Sequence, residues 1–286
     1  KVAIIYSIII IISYVGGFIS IQANTITKSI NEVYNINPYL IAIILSLVSL
    51  FIIWGGIKKI SSAINKIVPF MLIVYLLCGL FVFIKEFDKI PIFFNQIITS
   101  AFELKSLIGV LIVGVQRGIF SNEAGLGTGS ISSSTSSIKK IENNGYIQML
   151  GIYITTLLVC TVTAFIVMSF NYQGINLTDI NGIELTMQAF NYHMGYFGNV
   201  IMIFCIILFS FSTILTGYYY GETCLKFTLK SQNKMIIVLK LMTILVVFYG
   251  AVASSTKLWG IVDFLVSLLA IINVCAIGKL INEITT

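Results

Sequence analysis

Between Gly114 and Ser130 the chain reads GVQRGIFSNEAGLGTGS, with five glycines (Gly114, Gly118, Gly125, Gly127, Gly129), an arginine, a glutamate and an asparagine, set between apolar runs. A lipid-facing helix could not carry it. Irregular backbone survives at membrane depth only where it is buried in protein or lines a water-filled cavity. On an insertion scale Arg117 and Glu123 would each cost about 2.5–3.5 kcal/mol at a helix centre. The stretch therefore reads as a broken helix that holds a solute or an ion, and the rest of the chain has to fold around it.

The rest is apolar enough to do so in a bilayer. Hydrophobic residues make up 58% of the chain and charged residues only 10%, too little polar surface to cover a soluble globule. A bilayer core of about 30 Å takes about 20 apolar residues per helix. Such runs recur, without the alternating segments of about ten residues that mark a membrane barrel. The expected fold class is an all-α polytopic membrane protein, a single transmembrane domain over residues 1–286. Spans fall near 2–21, 38–55, 67–84, a broken segment at 106–138, then 146–169, 197–220, 235–253 and 259–279, which makes eight crossings.

The net charge of +6 could suggest nucleic acid, but the lysines stand singly or in pairs at the ends of apolar runs. Lys58, Lys59 and Lys66, then Lys139 and Lys140, then Lys226, Lys230 and Lys234 fall on one side, while the longer alternate loops 24–37, 85–105 and 170–196 carry net charge of zero or below. Lys257 is the exception. Cytoplasmic loops collect Lys and Arg, so both ends of the chain are expected in the cytoplasm of a multi-pass cell-membrane protein, with lipid and not nucleic acid as its surroundings. Five cysteines (Cys78, Cys160, Cys205, Cys224, Cys275) show no CxxC spacing and read as buried thiols. One histidine, His193, expected in a loop, argues against a histidine metal site. The chain opens at Lys1 and enters an apolar run at once; no small-residue cleavage pattern follows, so a truncated start fits better than a signal peptide.

Only about a dozen residues between Leu104 and Arg117 are suitably apolar, which at 1.5 Å each reaches roughly 18 Å, half a membrane. The expectation is a half-helix whose freed carbonyls, with the amides of the half that follows, meet a cation and a carboxylate near the midplane. GLGTGS (Gly125 to Ser130) has the glycines of a phosphate loop but neither its lysine nor a preceding strand. SSSTSS (Ser132 to Ser137) either lines the cytoplasmic half of a pathway or lets helices pack closely. In FSFSTILTGYYYGE (Phe209 to Glu222), Ser212 and Thr216 share a helix face with Thr213 beside them. Their hydroxyls are hard oxygen ligands of the kind sodium accepts, unless they bond back to their own helix. No paired histidine and carboxylate, no nucleophile beside a base and no metal spacing points to an enzyme.

These motifs align with one family. RGIFSNEAGLG (Arg117 to Gly127) is very similar to the signature of the sodium:alanine (alanine/glycine:cation) symporter family. IQANTI (Ile21 to Ile26), WGGIKKI (Trp54 to Ile60), VPFM (Val68 to Met71), GIELTMQAF (Gly182 to Phe190) and STILTGYYYGE (Ser212 to Glu222) follow in the right order, so the resemblance covers essentially the whole chain.

The resemblance implies a leucine-transporter-like inverted-repeat fold, with the first span here matching the third core helix and residues 114–137 the sixth. The first two core helices would then be absent, and upstream helices of the same protein or a separate chain would be needed to complete the site. It further implies a sodium-coupled symporter of a small neutral amino acid, working by alternating access, with sodium as coupling ion and no cofactor; the alternative is a non-transporting truncated fragment or remnant. Carried over, Gly17 and Gln22 approach the substrate from the third core helix, Phe120, Ser121 and Asn122 from the break, and Thr213 from across it. Ser212 and Thr213 bind sodium. Arg117 and Glu123 form gating or structural ion pairs.

Three positions depart from the family pattern. Gly217 stands where tryptophan is common, which would enlarge the pocket for a bulkier substrate such as glutamine. Thr155 replaces a usual aspartate and Ile272 a usual proline.

Overall fold

Apolar runs become helices because hydrocarbon offers no partner for backbone amides and carbonyls, so each segment must satisfy its own. The computed structural model describes residues 2–134, 136, 138, 140–171, 182–229, 233–253 and 255–284, and every regular element among them is a helix. In chain order they are α1 (Val2–Tyr34, π-helical over Ile11–Phe18), α2 (Pro38–Trp54), α3 (Gly56–Lys85) and α4 (Ile90–Phe102). Next come α5 (104–122, π-helical over Val110–Gly114), α6 (Thr128–Ser133) and α7 (141–171, π-helical over Ile154–Val159). The last three are α8 (Ile183–Leu229), α9 (Asn233–Val252) and α10 (Ser255–Ile284).

Six helical segments are long and apolar enough to cross a membrane: Val2–Tyr34, Gly56–Lys85, Glu142–Phe170, Ile183–Leu229, Asn233–Val252 and Trp259–Ile281. They correspond to six of the eight expected crossings, and the protein is a multi-pass membrane protein. The span expected at 38–55 is a helix of 17 residues, and the broken segment passes the same test only as the bent pair Phe87–Phe102 and Leu107–Asn122. Local chemistry sets the boundaries. Asn35 takes the left-handed conformation (φ 50°) and ends α1. Asn37 accepts the Tyr39 amide at 2.9 Å with Pro38 as first residue, and so starts α2.

The chain divides into two compact units. The first holds residues 1–71, 125–134 and 203–286. Its core is a continuous apolar cluster drawn from α1 (Val15, Ile19, Ala23), α2 (Ala42, Leu45), α8 (Ile214, Leu215, Tyr218) and α9 (Leu239, Val247). Within it α1 and α9 touch main chain to main chain: a β-carbon on Gly250 would stand 2.5 Å from the Cα of Ser20. Small residues permit this approach where lipid supplies no hydrophobic drive between helices. One turn further along α1, the Asn24 amide donates to the carbonyls of Gly250 (3.2 Å) and Ala253 (2.7 Å), satisfying the C-terminal end of α9. Asn24 is thus a buried clamp inside α1.

The second unit holds residues 72–124 and 135–202. Phe83 and Phe93 pack on the buried ring of Phe165, and the Tyr75 and Thr163 hydroxyls hydrogen-bond each other. His193, expected in a loop, lies buried within α8. Its Nε2 is 2.9 Å from Ser169 Oγ, its Nδ1 3.4 Å from Glu86 Oε1, and its carbonyl accepts Lys85 Nζ at 2.7 Å. These polar contacts explain why an imidazole can be buried there. Gly195, at φ 64°, kinks α8 two residues later.

Candidate substrate and cation site

The helix entering the glycine-rich stretch runs past the expected break. Gly114 and Gly118 are helical, and α5 continues to Asn122, so it spans 104–122 where a half-helix of a dozen residues was expected. Glycine inside a helix costs only about 1 kcal/mol against alanine, too little to stop it. What stops it is Asn122, whose side-chain oxygen accepts the Ala124 amide at 3.0 Å and offers the backbone an alternative to the helix. Glu123 then takes the left-handed conformation (φ 54°), with its amide on the Ile119 carbonyl at 2.9 Å. The Asn122 amide donates to Thr156 Oγ1 at 3.2 Å, within the π-helical stretch of α7. Nearby, the Ser121 hydroxyl donates to the Gly118 carbonyl and the Arg117 guanidinium stands 5.9 Å from the Phe120 ring centroid.

On the far side of the break, Asn273 Nδ2 of α10 donates to the Gly125 carbonyl at 3.0 Å, and Tyr6 Oη of α1 to the Leu126 carbonyl at 2.6 Å. A carbonyl away from water must find a donor, and once the helix has broken only side chains can supply one. Gly127 follows at φ 86°, and a β-carbon there would lie 2.6 Å from both Asn273 Oδ1 and Tyr6 Oη. The helix that resumes, α6, is six residues long. The Ser130, Ser132 and Ser134 hydroxyls donate to carbonyls three residues back; Thr135 and Ser137 of the same serine-rich run lie outside the described residues.

In α8 the Ser212 and Thr213 hydroxyls both donate to the Phe209 carbonyl, at 2.8 and 3.0 Å, and Thr216 donates to the Ser212 carbonyl. They bond back to their own helix, yet a donating hydroxyl keeps its lone pairs, so neither oxygen is lost as a cation ligand. Gly17 is buried against α10, where a β-carbon would meet Val262 Cγ2 at 2.6 Å. Gln22 is half-buried on α1. Gly217 faces α1: a β-carbon would stand 3.2 Å from Ile19 Cγ1 and 3.5 Å from the Tyr14 carbonyl oxygen. The volume beside Gly217 is thus already occupied by Ile19.

Arg117, Phe120, Ser121, Asn122 and Glu123 belong to the second unit, and Gly17, Gln22, Ser212, Thr213 and Gly217 to the first. Sequence reasoning missed Tyr6, Thr156 and Asn273. A phenol and an amide placed within apolar runs were the available signals, since hydrogen-bonding side chains in a span seek a partner.

A glycine-rich break tied down by polar side chains, in a membrane protein of long helices, is an arrangement that transporters use. The chain is a member of the sodium:alanine symporter family, which it matches over residues 1–286. It is similar to the amino-acid carrier protein AlsT of Bacillus subtilis, with 31% identity over 98% of this chain and 60% of the relative. The probable sodium/glutamine symporter GlnT of the same bacterium is 30% identical over 99% of this chain and 59% of its own length. The sodium/alanine symporter AgcS of Methanococcus maripaludis is 32% identical over 92% and 60% respectively. The chain spans about three fifths of the length of these relatives.

Proposed function

We propose that the protein is a sodium-coupled symporter of a neutral amino acid, built on a leucine-transporter-like inverted repeat and working by alternating access. The observation that carries this reading is the break at 123–127, a non-helical turn between two helical segments in a chain of this family. Broken helices of this kind present backbone dipoles and small polar side chains to solutes. Relatives whose names specify alanine or glutamine support a small neutral substrate.

In this reading Ser212 and Thr213 supply hydroxyl oxygens to sodium, and Gly17, Gln22, Phe120, Ser121, Asn122, Thr213 and Gly217 receive the amino acid. Arg117 and Glu123 take part in ion pairs that gate or brace the break. Sodium favours the conformation that binds the amino acid, and both cross together. The chemistry is non-covalent throughout.

The test is uptake of labelled alanine and glutamine by cells expressing the protein, with and without a sodium gradient. Thr213→Ala is expected to abolish the sodium-dependent component while leaving the amount of protein in the membrane unchanged. Asn122→Ala is expected to do the same. Uptake by both variants at the unaltered level, per copy of protein, would refute the site assignment.

A further inference from the structure

We infer that Tyr6 and Asn273 are positioning residues that clasp the second half of the break and set how tightly the protein binds its coupling ion and amino acid. The inference deepens the symport reading and rests on it. Residues 125–127 lead into a helix of only six residues, too short to stabilise itself. Two donors far away in sequence, 120 and 148 residues distant, hold consecutive carbonyls of that turn. The same two side chains close over Gly127, where a β-carbon would come within 2.6 Å of each. The turn is therefore fixed from α1 on one carbonyl and from α10 on the next.

Neither donor bonds to the substrate in this reading; each acts through the turn. Without the clasp, residues 125–127 sample more conformations and the binding-competent one is only a fraction of the population. Apparent affinity falls by that fraction, while the rate once everything is bound does not. Loss of a merely structural contact would instead lower the number of working copies.

The experiment uses Tyr6→Phe and Asn273→Asp, which keep shape and remove the donor, in the protein expressed in cells. Uptake of labelled alanine and glutamine is measured against sodium and amino-acid concentration, with protein in the membrane quantified. The expected result is a rise of about tenfold in half-saturating sodium and amino acid, with maximal uptake per copy within about twofold. Unchanged half-saturation in both variants, or lower maximal uptake at unchanged half-saturation, overturns the inference. A second readout does not depend on transport: Ala124→Cys, at an exposed position, in a background with the native cysteines replaced, is labelled with a maleimide. Tyr6→Phe is expected to raise its labelling rate about fivefold, and an unchanged rate overturns the clasp. Should the unaltered protein show no sodium-dependent uptake of either amino acid, the symport reading fails, and the labelling rate alone decides the clasp.

Discussion

Lys226 Nζ lies 2.6 Å from Glu222 Oε1, one helical turn along α8, with the carboxylate 6% exposed and the ammonium side chain 37% exposed. The carboxylate is thus the member of the pair with most to lose. Removing the partner of a fully buried charge costs about 3–5 kcal/mol, and solvent around Lys226 reduces that to about 2 kcal/mol. Lys226→Met should therefore lower the thermal midpoint of the detergent-solubilised protein by several degrees. Glu222→Gln added to it should recover most of the loss. A double variant as unstable as the single one would show that the pair is not what holds this end of the helix.

Two glycines of the break motif should behave in opposite ways. A β-carbon on Gly118 meets nothing within 4 Å, and Gly118→Ala in a helix should stabilise by about 0.5–1 kcal/mol. Gly127→Ala forces a left-handed alanine, about 1–2 kcal/mol, and drives its methyl into Tyr6 Oη and Asn273 Oδ1. Because part of the second cost is a clash with one hydroxyl, Gly127→Ala with Tyr6→Phe should be less destabilised than the sum of the singles. Thermal unfolding of the four proteins decides it, and strict additivity would place the strain in the backbone alone.

Gly217→Trp should fail by itself, since Ile19 fills the space an indole would need. Overpacking of this kind costs about 1–3 kcal/mol. Ile19→Ala alongside it should restore membrane expression and shift competition in favour of alanine over glutamine. A double variant in which the two amino acids compete as they do in the unaltered protein would remove Gly217 from the determinants of substrate size.

The His193 imidazole, Ser169 hydroxyl and Glu86 carboxylate should be thermodynamically coupled. His193→Phe takes one of two contacts from the Ser169 hydroxyl, which keeps the Ile166 carbonyl, and a 3.4 Å neighbour from Glu86, which keeps Lys89; it should cost about 0.5–1.5 kcal/mol, and Ser169→Ala alone less. A double-mutant cycle read by thermal unfolding should give a coupling of about 1 kcal/mol; zero coupling would mean that the 2.9 Å contact contributes nothing.

Helices were readable from the chain because a bilayer imposes a length: the six long apolar helices all coincide with expected spans. The location of the break was less so. Gly114 and Gly118 look like breakers in a list of residues, yet the event that ends α5 is one asparagine side chain competing for one amide, at Asn122 and Ala124. Nor does the chain announce what holds the Gly125 and Leu126 carbonyls. Their donors stand 148 and 120 residues away, where no local pattern reaches. The hydroxyls of Ser212 and Thr213 were ambiguous in the sequence between back-bonding and coordination. Their lone pairs leave both roles compatible.

The contact of Ser20 with Gly250 has a mechanical corollary. Helices separated by a layer of side chains can shear past one another as rotamers exchange, but at Ser20 and Gly250 main chain rests on main chain, with no side chain between. Asn24, straddling the Gly250 and Ala253 carbonyls a turn away, acts as a pin through the same joint. In the symport reading, α1 and α9 therefore move together at this joint as one lever.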